Sequence, residues 1–299
     1  MHPNFDYIID RISKLNPLHA KKLKKNISSF DEDFFVRAEI FLSKYEILLK
    51  NKGKNLDYAA DCYLQMLADI NFESVQFLRS GEYTSKSFTE VNERVYNNPA
   101  IMEYYMHGLL LSQFLWAHHY QILVFFSKLL AGYHNKITNY LEIGGGHGLY
   151  ISEANKIVGN KARYYLVDIS KTSVEIAKSM IADKDITFYH TDVFEHTPDE
   201  KYDFITIGEV LEHMEDPVAL LKKAHSLLTD HGRLFITTPT NAPAIDHIYL
   251  FKNAGHIREV IASGGFRVEK ELCIYTEDVS ADVAEKYKVS MMYAGLLTK

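Results

Sequence analysis

Only 2 cysteines and 1 tryptophan occur in the 299 residues, and Cys62 and Cys273 stand far apart with no partner motif. No disulfide framework can be built on them, so they read as buried thiols of a reducing compartment. Residues Met1 to Asp10 carry Asp6 and Asp10 and no apolar run, so the core of a secretory signal is missing and a cytoplasmic location is expected. Positive charge is also short. The 33 Lys and Arg against 39 Asp and Glu give a net charge of −6, and the deficit lies beyond residue 138, where 17 basic residues face 24 acidic ones. Enzymes of nucleic acids carry a basic footprint to neutralise phosphates, so no nucleic-acid partner is expected. The one basic cluster, Lys21, Lys22, Lys24 and Lys25, reads as a solvated helix face.

A membrane span is lacking as well. The longest stretch without formal charge is the 24 residues from Tyr104 to Ser127, but His107, Gln113, His118, His119 and Gln121 lie inside it. Polar groups in lipid are costly, and a helix apolar on all sides is otherwise a buried one. The stretch therefore predicts one long central helix, packed between an N-terminal bundle and either a cofactor domain or a second subunit. What remains is the composition of an ordinary soluble protein, 47% hydrophobic and 24% charged, with length for two domains.

The hydrophobic period changes near residue 138. Before it, Phe35, Ile40, Phe41, Tyr45, Leu48 and Leu49 form an apolar stripe at helical spacing, 57–70 repeats the pattern, and Asn97-Asn98-Pro99 supplies an N-cap and first turn. After it, strands and helices alternate, which predicts an α/β fold with a doubly wound sheet. Strands are expected near 139–143, 163–168, 186–190, 203–208, 232–238, 266–275 and 289–298, and helices near 148–157, 171–183, 216–228 and 253–263. The division is a helical domain over 1–137, serving as substrate cap and oligomerisation surface, and a cofactor domain over 138–299.

Glu142, Gly144, Gly146 and Gly148 fall at alternate positions where the first strand ends, with Gly145 between them. Glycine lets the chain turn tightly and pass close to a bulky ligand. Asp168 closes the second strand 20 residues beyond Gly148, where a carboxylate can accept the hydrogen bonds of a ribose diol. A pyrophosphate nucleotide fits poorly: Leu149 stands beyond the last glycine, no third glycine falls at the dinucleotide offset, and Glu142 would repel a pyrophosphate while suiting a cationic amino-acid moiety.

This acid-x-G-x-G-x-G pattern, followed in order by Asp168, by His190-Thr191-Asp192-Val193 and by Tyr202 to Glu209, resembles the class I S-adenosylmethionine-dependent methyltransferases over the C-terminal half. The resemblance implies a seven-stranded sheet with a reversed final hairpin and S-adenosylmethionine as cofactor. It places Glu142 and the glycines beside the methionine moiety, Asp168 with Ile169 at the ribose, Asp192 and Val193 at the adenine, and Glu209 at the end of the fourth strand. It further implies a methyl acceptor that is a small molecule, aromatic or derived from an amino acid, attacked at O, N or C in specialised metabolism. Candidate acid–base residues are His247 with Asp246 as its orienter, and His119. Candidate substrate contacts are Tyr104, Tyr105, His118 and Tyr249; neighbouring helix positions point about 100° apart, so only one of His118 and His119 is expected to face a given cleft. Glu209, Glu212, His213 and His247 also resemble the ligand set of metal-assisted RNA 2′-O-methyltransferases, the alternative reading; a metal is not the expected state. A non-catalytic, partner-binding member of the fold is the third reading. A homodimer through the helical half is expected, without a membrane partner.

Overall fold

A computed structural model describes residues 2–28, 30–181 and 185–299. The chain opens with seven α-helices, α1 (Pro3–Leu15), α2 (Pro17–Ile27), α3 (Glu32–Asn51), α4 (Leu56–Ser80), α5 (Phe88–Val91), α6 (Pro99–Leu115) and α7 (Ala117–Ala131), with a π-helical turn over Asn92–Tyr96. Polar caps start many of them: the side chains of Asp31, Asn55 and Asn98 accept backbone N–H groups of the first turns they precede. Gly81, at φ 75°, ends α4 in the left-handed conformation.

Two sequence expectations fail in this half. The uncharged stretch is not one helix, because Trp116 takes an extended conformation (φ −107°, ψ 122°) between α6 and α7. Its indole N–H donates to Tyr63 Oη at 2.8 Å, so a tertiary contact holds the break. Among the described residues no helix is long and apolar enough to cross a membrane. The apolar stripe of α3 is also displaced: Phe34, Ala38, Leu42, Tyr45 and Leu49 are buried, whereas Ile40 faces outward.

The second half alternates β1 (Asn139–Ile143), α8 (Leu149–Val158), β2 (Arg163–Asp168), α9 (Lys171–Met180), β3 (Ile186–His190), β4 (Tyr202–Gly208), α10 (Pro217–Leu227), β5 (Leu228–Thr240), α11 (Ala254–Ser263), β6 (Arg267–Tyr275), α12 (Ala281–Lys286) and β7 (Met291–Thr298). The strands form one sheet in the order β3-β2-β1-β4-β5-β7-β6, in which β7 runs antiparallel to both β5 and β6. This is the expected seven-stranded arrangement with a reversed final hairpin. Of the helix expected over 171–183, residues 182 and 183 lie outside the described ones. Cys273 is exposed on the edge strand β6, so only Cys62 is the buried thiol expected of both.

Strand order reverses between β1 and β4, both parallel to their neighbours, and the crevice beyond the strands' C-terminal ends is where open α/β sheets bind ligands. Helices α1 to α6 share one apolar core. Helix α7 joins the two halves: Tyr120 belongs to that helical core, while Ile122, Phe126, Leu129 and Leu130 pack into the core on one face of the sheet. The two halves are tied at the crevice: Ser85 Oγ and Arg94 Nη2 donate to the Ile245 carbonyl at 2.9 and 2.6 Å, and the Phe88 N–H donates to Glu215 at 2.7 Å.

Candidate active site

A cavity of about 1210 Å³ lies between the strand ends and the helical half. Pockets for a single drug-sized ligand occupy about 300–1,000 Å³, so this one has room for two molecules. Its strand-side wall begins at the turn after β1. Gly144 has φ 64°, and a Cβ there would stand 2.5 Å from Val210 Cγ2, so both backbone and packing demand glycine. Gly146 has φ 50°, and its Cα faces Met106 of α6, whose Cε would be 3.0 Å from an added Cβ. Gly148 does not line the cavity; at φ 72° it packs against Ile181 at the end of α9, whose Cδ1 would stand 2.5 Å from an added Cβ.

Asp168 locks the two strand tips together. Its Oδ2 accepts the Gly146 N–H at 3.0 Å and its Oδ1 the Ser170 N–H at 2.7 Å. Burial raises its pKa, opposed by those two amides. Each carboxylate oxygen accepts about two hydrogen bonds, which leaves a lone pair on each for a ligand. Glu142 is buried at the same turn, accepts the Ile151 N–H at 2.7 Å as α8 begins, and burial pushes its pKa to about 8. Ile169, Asp192 and Val193 line the cavity as well. Glu209 follows β4 with φ 54°, lines the cavity and has a buried Oε1 without a partner; burial raises its pKa to about 7.

Beyond β5 the loop closes on the short 3₁₀ turn Leu211–His213. His213 Nδ1 lies 2.9 Å from the Asp246 carbonyl, and His247 Nδ1 lies 2.5 Å from the Ala242 carbonyl. A carbonyl only accepts, so each ring carries its proton on Nδ1 and leaves Nε2 with a free lone pair. Asp246 does not orient His247 as expected: its Oδ2 lies 3.5 Å from His213 Nδ1 and 3.5 Å from Tyr96 Oη, and burial holds His247 neutral with a pKa of about 4. Glu212 is fully buried; Oε2 accepts from Thr238 Oγ1 at 2.8 Å, and Oε1 has no partner. One ligand atom each from Glu212, His213 and His247 lie within 4.8 Å of one another. Glu209 stands outside that group.

The helix-side wall departs more from expectation. Tyr105 lines the cavity, but Tyr104 turns away to donate to Asp69 on α4 at 2.6 Å, and Tyr249 bonds His256 on α11. His118 and His119 both line the cavity, because the break at Trp116 places them in the first turn of α7 where the wide cleft wraps around it. His119 Nδ1 is held by Ser112 Oγ at 3.0 Å, and burial keeps its ring neutral. Tyr96, Arg94, Ser85 and Met106 had no sequence signal, since each acts across the chain fold. Ser170 had one: it caps α9 two residues after the strand-ending acid.

A mixed, mostly parallel sheet with a glycine turn bonded to the next strand's carboxylate, beneath a wide cavity at the strand ends, has the layout of the nucleotide-binding α/β folds. A family model described as a methyltransferase domain matches residues 116–273, more than half of the chain. The chain belongs to this family and to the class I S-adenosylmethionine-dependent methyltransferases within which it falls. Malonyl-(acyl-carrier protein) O-methyltransferase 1 of Ilyobacter polytropus is 32% identical over 104 residues, 34% of this chain and 38% of that protein. Ubiquinone biosynthesis O-methyltransferase of Haemophilus ducreyi is 27% identical over 158 residues, 48% of this chain and 65% of that one. The chain thus spans less than two thirds of the length of these curated relatives. The mitomycin 7-O-methyltransferase MmcR shares the fold, with a TM-score of 0.54 at 14% identity over 82% of this chain and 70% of that one.

Proposed function

We propose that this protein transfers a methyl group from S-adenosylmethionine to O, N or C of a small metabolite, with residues 138–299 holding the cofactor and residues 1–137 capping the acceptor. The observation that carries this reading is the bond from Gly146 N–H to Asp168. It fixes the turn and the carboxylate as one cradle, with lone pairs left on Asp168 and an unpartnered Glu209 Oε1 in the same wall. Asp168, Asp192, Glu209 and the glycine backbone would hold the cofactor, whose sulfonium supplies an activated methyl carbon.

What the chain must add is alignment and exclusion of water. Where the acceptor is a hydroxyl, His213 Nε2 is placed to take its proton: Nδ1–H is pinned to the Asp246 carbonyl, which fixes the ring's orientation at the cavity wall. Incubation with cofactor labelled in the methyl group against a metabolite panel tests the activity. Label appearing in an acceptor supports it, and none across the panel together with no cofactor binding opposes it.

A second reading rests on the orphaned Glu212 Oε1 and the two bare Nε2 atoms beside it, a set suited to a divalent ion. It gives the imidazoles to the metal and removes them as bases. Activity that survives a chelator and dialysis would exclude it. We also assign a homodimer to the helical half, because Val36, Ile40 and Ile47 stand exposed along one face of α3. Sedimentation equilibrium of the wild type and Ile40→Glu tests that assignment. A cytoplasmic role in specialised metabolism completes the proposal.

A further inference from the structure

The helix-side wall of the cavity has a chemistry of its own. Along α6, Met102, Tyr105, Met106, Leu109 and Gln113 form one stripe, spanning roughly 16 Å of helix axis at 1.5 Å per residue. Along α4, Leu67, Ile70, Ser74 and Leu78 form a second stripe of similar length. Met106 places the first stripe against the glycine turn, and Trp116 and Ile122 continue it past the end of α6. Leu18 of α2 and Leu78 line the cavity while standing 86% and 75% exposed, so they mark where it meets solvent.

Charge is missing from this wall. Among the described lining residues of the seven N-terminal helices and their connections, Lys22 is the only one with a formal charge, and Glu277 neutralises it in an ion pair. The histidines here are neutral, since burial lowers His19 and His118 to about 4 and His119 well below its ordinary value. A zwitterion or an anion would be desolvated against such a surface without a counter-charge. An alkyl, prenyl or fused aromatic arm would gain burial along it.

We infer that the trough between α4 and α6 is the binding subsite for an extended lipophilic arm of the methyl acceptor, so that the acceptor is an uncharged amphiphile whose polar, reacting end faces the strand tips. This inference rests on the methyl-transfer reading for the acceptor's role, but arm binding can be measured without the cofactor. It narrows the acceptor classes left open above, removing free amino acids and keeping lipophilic aromatic compounds.

Trp116 is the sole tryptophan of the chain and lines the subsite, so its emission reports on occupancy. A homologous series of 4-n-alkylphenols, from methyl to octyl, is titrated into the full-length protein, with calorimetry as the second readout and free tyrosine as the zwitterionic control. The dissociation constant should fall by up to about fourfold for each added methylene, and tyrosine should not bind. Ile70→Asp should weaken the octyl member at least tenfold and leave the methyl member unchanged. Leu78→Asp, at an exposed rim position that folding tolerates, should weaken the long members selectively by a smaller factor.

Affinity independent of tail length, or tyrosine binding as tightly as the phenols, would overturn the inference. S-adenosylhomocysteine is titrated separately. Tail-dependent binding without cofactor binding would leave the subsite standing and remove the methyltransferase reading, and cofactor binding with a flat alkyl series would do the reverse.

Discussion

The two walls of the cavity are built from opposite materials. The strand wall carries Glu142, Asp168, Asp192, Glu209 and Asp246; backbone amides hold Glu142 and Asp168, and the turn beside them needs glycine at Gly144. The helix wall carries Met, Leu, Trp and neutral His, with one paired lysine. On the proposed reading, such a division would let one cleft take two unlike molecules in fixed relation, a cationic nucleoside beside the strand tips and a neutral acceptor along the helices. Specificity for the cofactor would then reside in local features of the α/β half, and specificity for the acceptor in how distant helices are stacked.

The largest effect should come from the residue at the seam. His213→Ala should lower kcat on a hydroxyl acceptor by about 10²-fold or more with little change in cofactor affinity, as removal of a general base does. Steady-state kinetics with a separate cofactor titration checks this, and an equal loss in both would move His213 from chemistry into the structure of the strand wall.

Next is the acidity of that wall itself. Glu142 has its pKa raised to about 8 by burial, so the folded protein holds this proton where the unfolded chain, near 4.5, has lost it. Its contribution is fully favourable below pH 4.5 and is lost as pH rises to about 8. Glu142→Gln should abolish that part of the dependence, on the order of a few kcal/mol, in denaturant unfolding followed from pH 5 to 8.5. Identical pH profiles for the two proteins would show Glu142 ionised and stabilised by its surroundings.

A smaller loss, about 1–2 kcal/mol, is expected for Gly144→Ala, from φ 64° and the contact with Val210. Thermal unfolding measures it. The smallest concerns the one formal charge among the described lining residues of the helix wall: Lys22→Ala should change stability by less than about 1 kcal/mol, because its ion pair with Glu277 is half-exposed.

The walls also differ in how far they could be read from sequence. Strands 139–143 and 163–168 lie at the expected residues because each is a short apolar run ended by an acid or a glycine, signals local to the chain. The N-cap Asn98 was legible for the same reason. The break at Trp116 was not, since no glycine or proline marks it and a bond to Tyr63 on another helix sustains it. Tyr104 and Tyr249 were expected at the acceptor, yet each found a polar partner away from the cavity, a choice made by tertiary neighbours. Pairing of Asp246 with His213, 33 residues apart, in place of its neighbour His247 has the same origin.

Isothermal titration of S-adenosylhomocysteine into the wild type and Asp168→Asn tests the strand wall most directly. The wild type should bind with a micromolar or tighter dissociation constant, and the variant about tenfold more weakly, consistent with a charged hydrogen-bond acceptor worth about 1.5 kcal/mol. Equal affinity in the two proteins, or no heat in either while both remain folded, would contradict the assignment of this cleft to an adenosyl cofactor.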